Sequence, residues 1–175
     1  MDADSLLALV RFHAFANDKV LTTAAALSDE EFRRRGPFDH GSAFETVRHL
    51  VDVDWSWREY LDGNDVGDTY VWDHGFVLDD LPALHAFCIE EDVRLRDYVS
   101  SLDDAAVDGP IKLGEDLTVP RWLLGAHVVN HGTQHRSELA RYLTECGHSP
   151  GDLDLLDAQV LPWPGGSDAS PGQEP

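Results

Sequence analysis

The sequence predicts an all-α fold: a four-helix bundle with a small β-hairpin or irregular segment between the third and fourth long helices. Three observations carry this expectation. Apolar residues recur every three or four positions through four stretches of about 20 to 30 residues. Capping signals precede two of them, and the connections between them are short. With 175 residues the chain suits one compact domain. Residues 1 to 149 are assigned to the bundle and residues 150 to 175 to a C-terminal arm, rich in Gly, Ser and Pro at its end, where disorder is expected.

The first long helix is expected over residues 3 to 27, where Leu6, Leu7, Val10, Phe12, Phe15, Val20 and Leu21 share an apolar face. Ser28 with Glu31 has the form of a capping box and starts a short helical turn that Gly36-Pro37 stops. Ser42, with Glu45 three residues on, opens the second long helix, which runs to Gly63. Residues 63 to 77 lack a helical period and read as a loop. The third long helix is placed at 78 to 102, with Pro82 in its first turn. The segment 103 to 119 reads as irregular or as a hairpin turning at Gly114-Glu115, after which Thr118 is expected to cap a fourth helix from Pro120 to Gly147.

Charge excludes one large class of partner. The chain carries 33 acidic and 13 basic residues, a formal net charge of -20, and 23 of the acids are Asp. Such a surface repels phosphate backbones, so no nucleic-acid partner is expected. No apolar run approaches the ~18 to 20 residues of a spanning helix, and the N-terminus lacks a basic secretory start. The protein is therefore expected to be cytoplasmic, with no membrane partner. Two cysteines, Cys88 and Cys146, are too few for a thiolate zinc site, so any metal must lean on histidine and carboxylate.

Residues 127 to 135 read HVVNHGTQH, placing His127, His131 and His135 four apart in a chain of nine histidines. Positions four apart drift by only ~40° around a helix, so the three share a face with Leu124, Val128, Leu139 and Tyr142, read as the core-directed stripe. Residues eight apart lie ~12 Å along the axis, too far for one ion. The ligand pair is either His127 with His131 or His131 with His135, and Gly132 favours the second, because a mid-helix glycine marks close approach or function. His49, at the edge of the stripe of Thr46, Leu50, Val53, Trp57 and Tyr60 on the second helix, is a third candidate. For His13, His40, His85 and His148, which lack partner spacing, the ordinary structural role is retained. No zincin helix, phosphate loop or nucleophile elbow is present, and the lone E-x-x-H at Glu145 to His148 straddles the helix-ending Gly147.

The segments RHLVDVDW and HVVNHGTQHRSELARYL, the latter approached by GEDLTVPRWLL, resemble the DinB-like (YfiT-like) superfamily of metal-dependent enzymes, over about residues 3 to 147. In that superfamily a four-helix bundle holds a divalent metal through one histidine of the second helix and the H-x3-H pair directly before an arginine. The resemblance therefore implies His49, His131 and His135 as ligands and Arg136 as the following residue, with His127 as a hydrogen-bond partner or pocket wall beside Trp57 and Tyr60. It also implies a homodimer. Ser137 and Glu138 stand where a Gly followed by a polar residue is commoner, which alters the pocket rather than the ligands.

Members with assigned activities include thiol S-transferases and a thiol-dependent isomerase that use low-molecular-weight thiols. The resemblance thus implies a three-histidine site (Zn, Ni or Fe) that activates water or such a thiol for a small-molecule substrate, in a hydrolase or thiol S-transferase. Glu138, one turn beyond His135, is the candidate acid/base or orienting residue, and Trp55, Trp57, Tyr60, Tyr70 and Trp72 are candidate pocket walls. The competing expectation is a non-catalytic, stress-related binding or scaffold bundle whose metal is structural or vestigial.

Overall fold

The computed structural model describes residues 1 to 113 and 117 to 156. Along them run α1 (Ala3–Ala24), α2 (Asp29–Arg33), α3 (Ala43–Leu61), a 3₁₀ turn at Val71–His74, α4 (Leu81–Ser100), α5 (Asp104–Val107), strands β1 (Pro110–Leu113) and β2 (Leu117–Pro120), and α6 (Arg121–Glu145). The expected hairpin is present as an antiparallel pair with Ile111 opposite Val119. Its turn, expected at Gly114-Glu115, and the end of the C-terminal arm lie outside the described residues.

Local chemistry sets most helix ends. Ser28 and Glu31 form the expected capping box, and the Ser42 hydroxyl accepts from the Glu45 amide at 3.2 Å. Asp80 caps α4 by accepting from Ala83 N at 2.9 Å, which starts that helix three residues later than expected. The Thr118 cap does not form. Thr118 pairs with Lys112 in the hairpin, and the first amide of α6, on Arg121, donates instead to the Gly109 carbonyl at 2.9 Å. The hairpin base thus does the capping.

α1 packs on α4 and α6, and α3 packs on the same two, so the four long helices close a bundle in which α6 faces both α1 and α3. Its interior holds two main apolar clusters. Val20, Leu21, Val47, Val51, Leu84, Leu139 and Leu143 fill one; Leu6, Val10, Leu61, Leu95, Val99, Leu124 and Val128 fill the other. Between them every long helix contributes buried polar groups: His13 and Asn17, Asp54, Asp92, and Arg136. No helix among the described residues is long and apolar enough to cross a membrane.

Candidate metal centre

α3 and α6 lie side by side, which brings His49 against the histidine ladder of α6. The Nε2 atoms of His49 and His131 are 3.1 Å apart. Ring centroids of His49 lie 5.0 Å from both His131 and His135, and those of His131 and His135 are 4.6 Å apart. A fourth imidazole joins them. His40 stacks on His49 at 3.9 Å, and His40, His49 and His135 each offer a ring nitrogen within 4.8 Å of the others.

The loop that carries His40 is shaped by close contacts. Gly36 N donates to Gly41 O at 2.9 Å, Arg35 bridges to Ser42, and the Phe38 ring sits edge-on to Tyr142 at 5.0 Å. Gly41 has φ +92°, a left-handed conformation that suits glycine. Glu138 helps hold this loop to α6, its Oε2 accepting from Asp39 N at 3.4 Å, while its Oε1 lies 3.5 Å from Nδ1 of His135.

Two observations test whether these residues fit a divalent ion. Nδ1 of His135 is sealed from solvent without a hydrogen-bond partner, the Glu138 contact lacking hydrogen-bond geometry; Nδ1 of His131 is sealed likewise, but on the ring edge away from the Nε2 that faces His49. Burial costs such a group its hydration, so a nitrogen left this way lacks a partner that a ligand can supply. Second, burial, then His40 and His135, pulls the His49 pKa down to about 4; burial, then His135, does the same for His131, also to about 4. Burial lowers His135 as well, against the pull of Glu138. Neutral imidazoles are the form that binds metal. Two nitrogens bonded to one ion at ~2.0 to 2.1 Å sit roughly 3.0 to 3.4 Å apart for angles near 90 to 109°. The 3.1 Å between His49 and His131 falls in that interval. The His49–His131 pair and the trio His40, His49 and His135 are thus donor sets that suit a divalent ion.

The other expected site residues divide. His127 is exposed rather than core-directed, its ring 6.2 Å from His131 and 5.3 Å from Trp57. The histidines therefore climb the margin of the core face, His127 exposed, His131 half-buried and His135 buried. Trp57 and His127 line an apolar cavity of about 290 Å³ with Leu113, Val119, Leu123 and Leu124. Tyr60 faces a different groove, next to Asn64 and Lys112, and its hydroxyl donates to Asp65 at 2.8 Å. Trp55 is core. Tyr70 and Trp72 stack on each other at 4.7 Å beside His40 and His49.

Arg136 points away from the histidines into the polar layer. It is 2% exposed, and its Nη1 donates to Nδ1 of His13 at 3.0 Å and to Asn17 Oδ1 at 2.7 Å. Because His13 Nδ1 accepts, its Nε2 carries the proton and donates to Asp54 Oδ2 at 3.0 Å. His13, Asp54 and Asp92 also lie within ligand distance of one another. The Asn17 amide nitrogen occupies their centre, 3.2 Å from Asp92 Oδ1, and Arg136 already supplies a cation, so this cluster is a hydrogen-bonded polar layer in which Asp54 Oδ1 alone of its carboxylate oxygens is buried without a partner.

Sequence reasoning missed His40, Asp54 and Asp92 as members of these clusters. Spacing held a signal for the last two, since Asp54 follows Leu50 by four and Asp92 follows Cys88 by four, putting carboxylates on core-facing stripes. His40 carries none, because a loop delivers it.

No curated protein matches the chain. The sequence does match the DinB family over residues 1–163, which spans the whole bundle and every histidine of the centre, and the chain belongs to that family.

Proposed function

We propose that this protein is a divalent-metal-dependent enzyme that holds its ion through His49, His131 and His135, with His40 beside them. One observation carries the reading: neutral imidazoles from two facing helices converge, Nε2 of His49 and of His131 standing at a separation that one ion can bridge. A divalent ion held there (Zn, Ni or Fe by ligand type) supplies Lewis acidity that makes bound water or a low-molecular-weight thiol acidic near neutral pH. This chain's residues supply the rest. Glu138, its carboxylate 3.5 Å from His135 Nδ1 and accepting from Asp39 N in the His40 loop, stands beside the centre as the candidate proton acceptor. The bundle keeps bulk water off the inner side of the rings, while the cavities beside His49 and His127 receive a small-molecule substrate. Hydrolysis and thiol S-transfer are the reaction classes this arrangement supports. The proposed homodimer is supported by Ile89 and Val93, exposed four residues apart on α4, and sedimentation of the purified chain tests it.

Elemental analysis of untagged protein, wild type beside His49→Ala and His131→Ala, tests the centre. About one divalent ion per chain, lost in both variants, supports it and directs screening to thiol transfer and hydrolysis. No ion in wild type after reconstitution and dialysis overturns it and leaves a non-catalytic binding bundle.

A further inference from the structure

Arg48 directly precedes His49, and the two line one cavity of about 440 Å³ together with His40, Glu45, Asp52, Tyr70 and Trp72. In a chain of net charge -20 carboxylates are plentiful, and five of the eleven arginines form ion pairs. Arg33, Arg58, Arg94, Arg96 and Arg141 each pair with a carboxylate. Arg48 does not: among the described residues no carboxylate lies within ion-pair distance of it, and its Nε is sealed from solvent without a hydrogen-bond partner. Asp52 is close enough to feel its charge, yet Asp52 Oδ1 is committed to the Val71 amide at 2.7 Å. What holds Arg48 is aromatic. Its guanidinium carbon lies 3.9 Å from the centroid of Trp72, whose ring stacks on Tyr70 with an interplanar angle of 12°.

We propose that this cavity is a subsite for a carboxylate-bearing small molecule, with Arg48 as its anchor. A planar guanidinium presents paired N–H donors that match a carboxylate's two oxygens, and stacking on Trp72 fixes the plane before the ligand arrives. Phosphate could use the same fork, but Glu45 and Asp52 already place carboxylates on the lining, and a second ligand charge meets more repulsion than the first. A monoanion is preferred. The Tyr70–Trp72 pair gives the body of the ligand a flat wall, and His40 and His49 line the same cavity. The subsite deepens the metal-dependent reading, since the cavity that holds Arg48 is also lined by His49, but the anchor itself requires no metal.

Benzoate, its neutral counterpart benzamide, and inorganic phosphate serve as probes, titrated by saturation-transfer NMR against the full chain, both metal-loaded and chelated. The proteins are wild type, Arg48→Gln, Arg48→Lys and His131→Ala. Benzoate is expected to bind chelated wild type and His131→Ala, to weaken at least 10-fold in Arg48→Gln and by less in Arg48→Lys, and to outcompete phosphate, with benzamide weak on every variant. Benzoate binding that ignores Arg48→Gln, benzamide binding equal to benzoate, phosphate binding tighter than benzoate, or no benzoate binding to wild type each overturns the subsite. If Arg48→Gln does not fold, the Arg48→Lys loss decides. A chain that binds no metal yet binds benzoate through Arg48 refutes the metal centre and keeps the subsite; metal retention without an Arg48 effect does the reverse.

Discussion

Arg136 Nη1 donates to Nδ1 of His13 at 3.0 Å across the centre of the bundle. The contact links α6 to α1 one residue beyond His135, so the outer helix of the candidate centre is pinned from the core side. Arg136 also reaches Asn17 Oδ1 at 2.7 Å and the Thr133 hydroxyl at 3.1 Å, and Asp54 and Asp92 lie near enough to favour its charge. The same layer therefore balances charge and fixes the rotation of α6, which sets how far His131 and His135 project toward α3.

Replacing Arg136 by Leu is expected to destabilise the fold strongly. The substitution leaves Asp54 and Asp92 buried without their nearby cation and strips His13 Nδ1 and Asn17 Oδ1 of a donor, and removing one member of a buried charged network costs about 3 to 5 kcal/mol. Adding Asp92→Asn should return part of the loss, because it removes one of the stranded carboxylates. Denaturant unfolding of the two variants checks both statements. Additive losses would mean that the two groups do not share a network.

Gly132 is expected to resist substitution even though Ala is the better helix former by about 1 kcal/mol. A Cβ at this position would lie 2.6 Å from Cε1 of His13 and would also collide with Nη1 of Arg136. Both neighbours are held by the hydrogen bonds above, so neither gives way freely, and overpacking of this kind costs about 1 to 3 kcal/mol. At Gly125 the collision is with the flexible Leu6 side chain at 2.9 Å, and Gly125→Ala should be milder. Thermal melts rank the two variants. A Gly132→Ala chain more stable than wild type would show that α6 stands further from α1.

These two residues also show how far the sequence could be read. The ends of α2 and α3 were legible because Ser28, Glu31 and Ser42 act within one turn of the chain, and His131 with His135 was legible because helical spacing alone puts them on one face. Gly132 was recognised as a close approach, but the sequence could not say to what. The approach is to Arg136 and His13, so it bears on packing and not on the choice of ligand pair. In the sequence Thr118 has the form of a cap, because its pairing with Lys112 depends on a hairpin whose register local propensity does not fix. His40 was illegible for a similar reason: the Gly36–Gly41 and Glu138–Asp39 contacts that deliver it to His49 span the loop and a second helix.

Histidines inside and outside the cluster should separate in metal affinity. His127 is exposed, with its ring beside Trp57 rather than among His40, His49 and His135. His127→Ala is expected to keep wild-type metal content. His40, stacked on His49, orients that ring and adds a nearby nitrogen, so His40→Ala should weaken affinity roughly 10- to 100-fold, the usual cost of losing a group that supports a ligand. Competition with a chelator of known affinity gives both numbers. Loss of metal in His127→Ala would move the pair one turn toward the start of α6.

Asp92 gives the fold a pH dependence with a definite sign. Burial is the main cause that raises its pKa from 3.8 to about 6, helped by the charge of Asp54 and opposed by His13, Asn17 and Arg136; the Cys88 thiol also faces it. Between those two values the folded state holds a proton that the unfolded chain has released, so this group's contribution to stability falls as pH rises from about 4 to 6 and is constant above. A shift of that size corresponds to roughly 3 kcal/mol. Asp92→Asn keeps the shape and removes the ionisation. Its stability relative to wild type should therefore climb by about that amount between pH 4 and 7, measured by denaturant unfolding at each pH. A difference that stays flat would mean that His13, Asn17 and Arg136 offset the effect of burial, so that Asp92 ionises in the fold as it does in the unfolded chain.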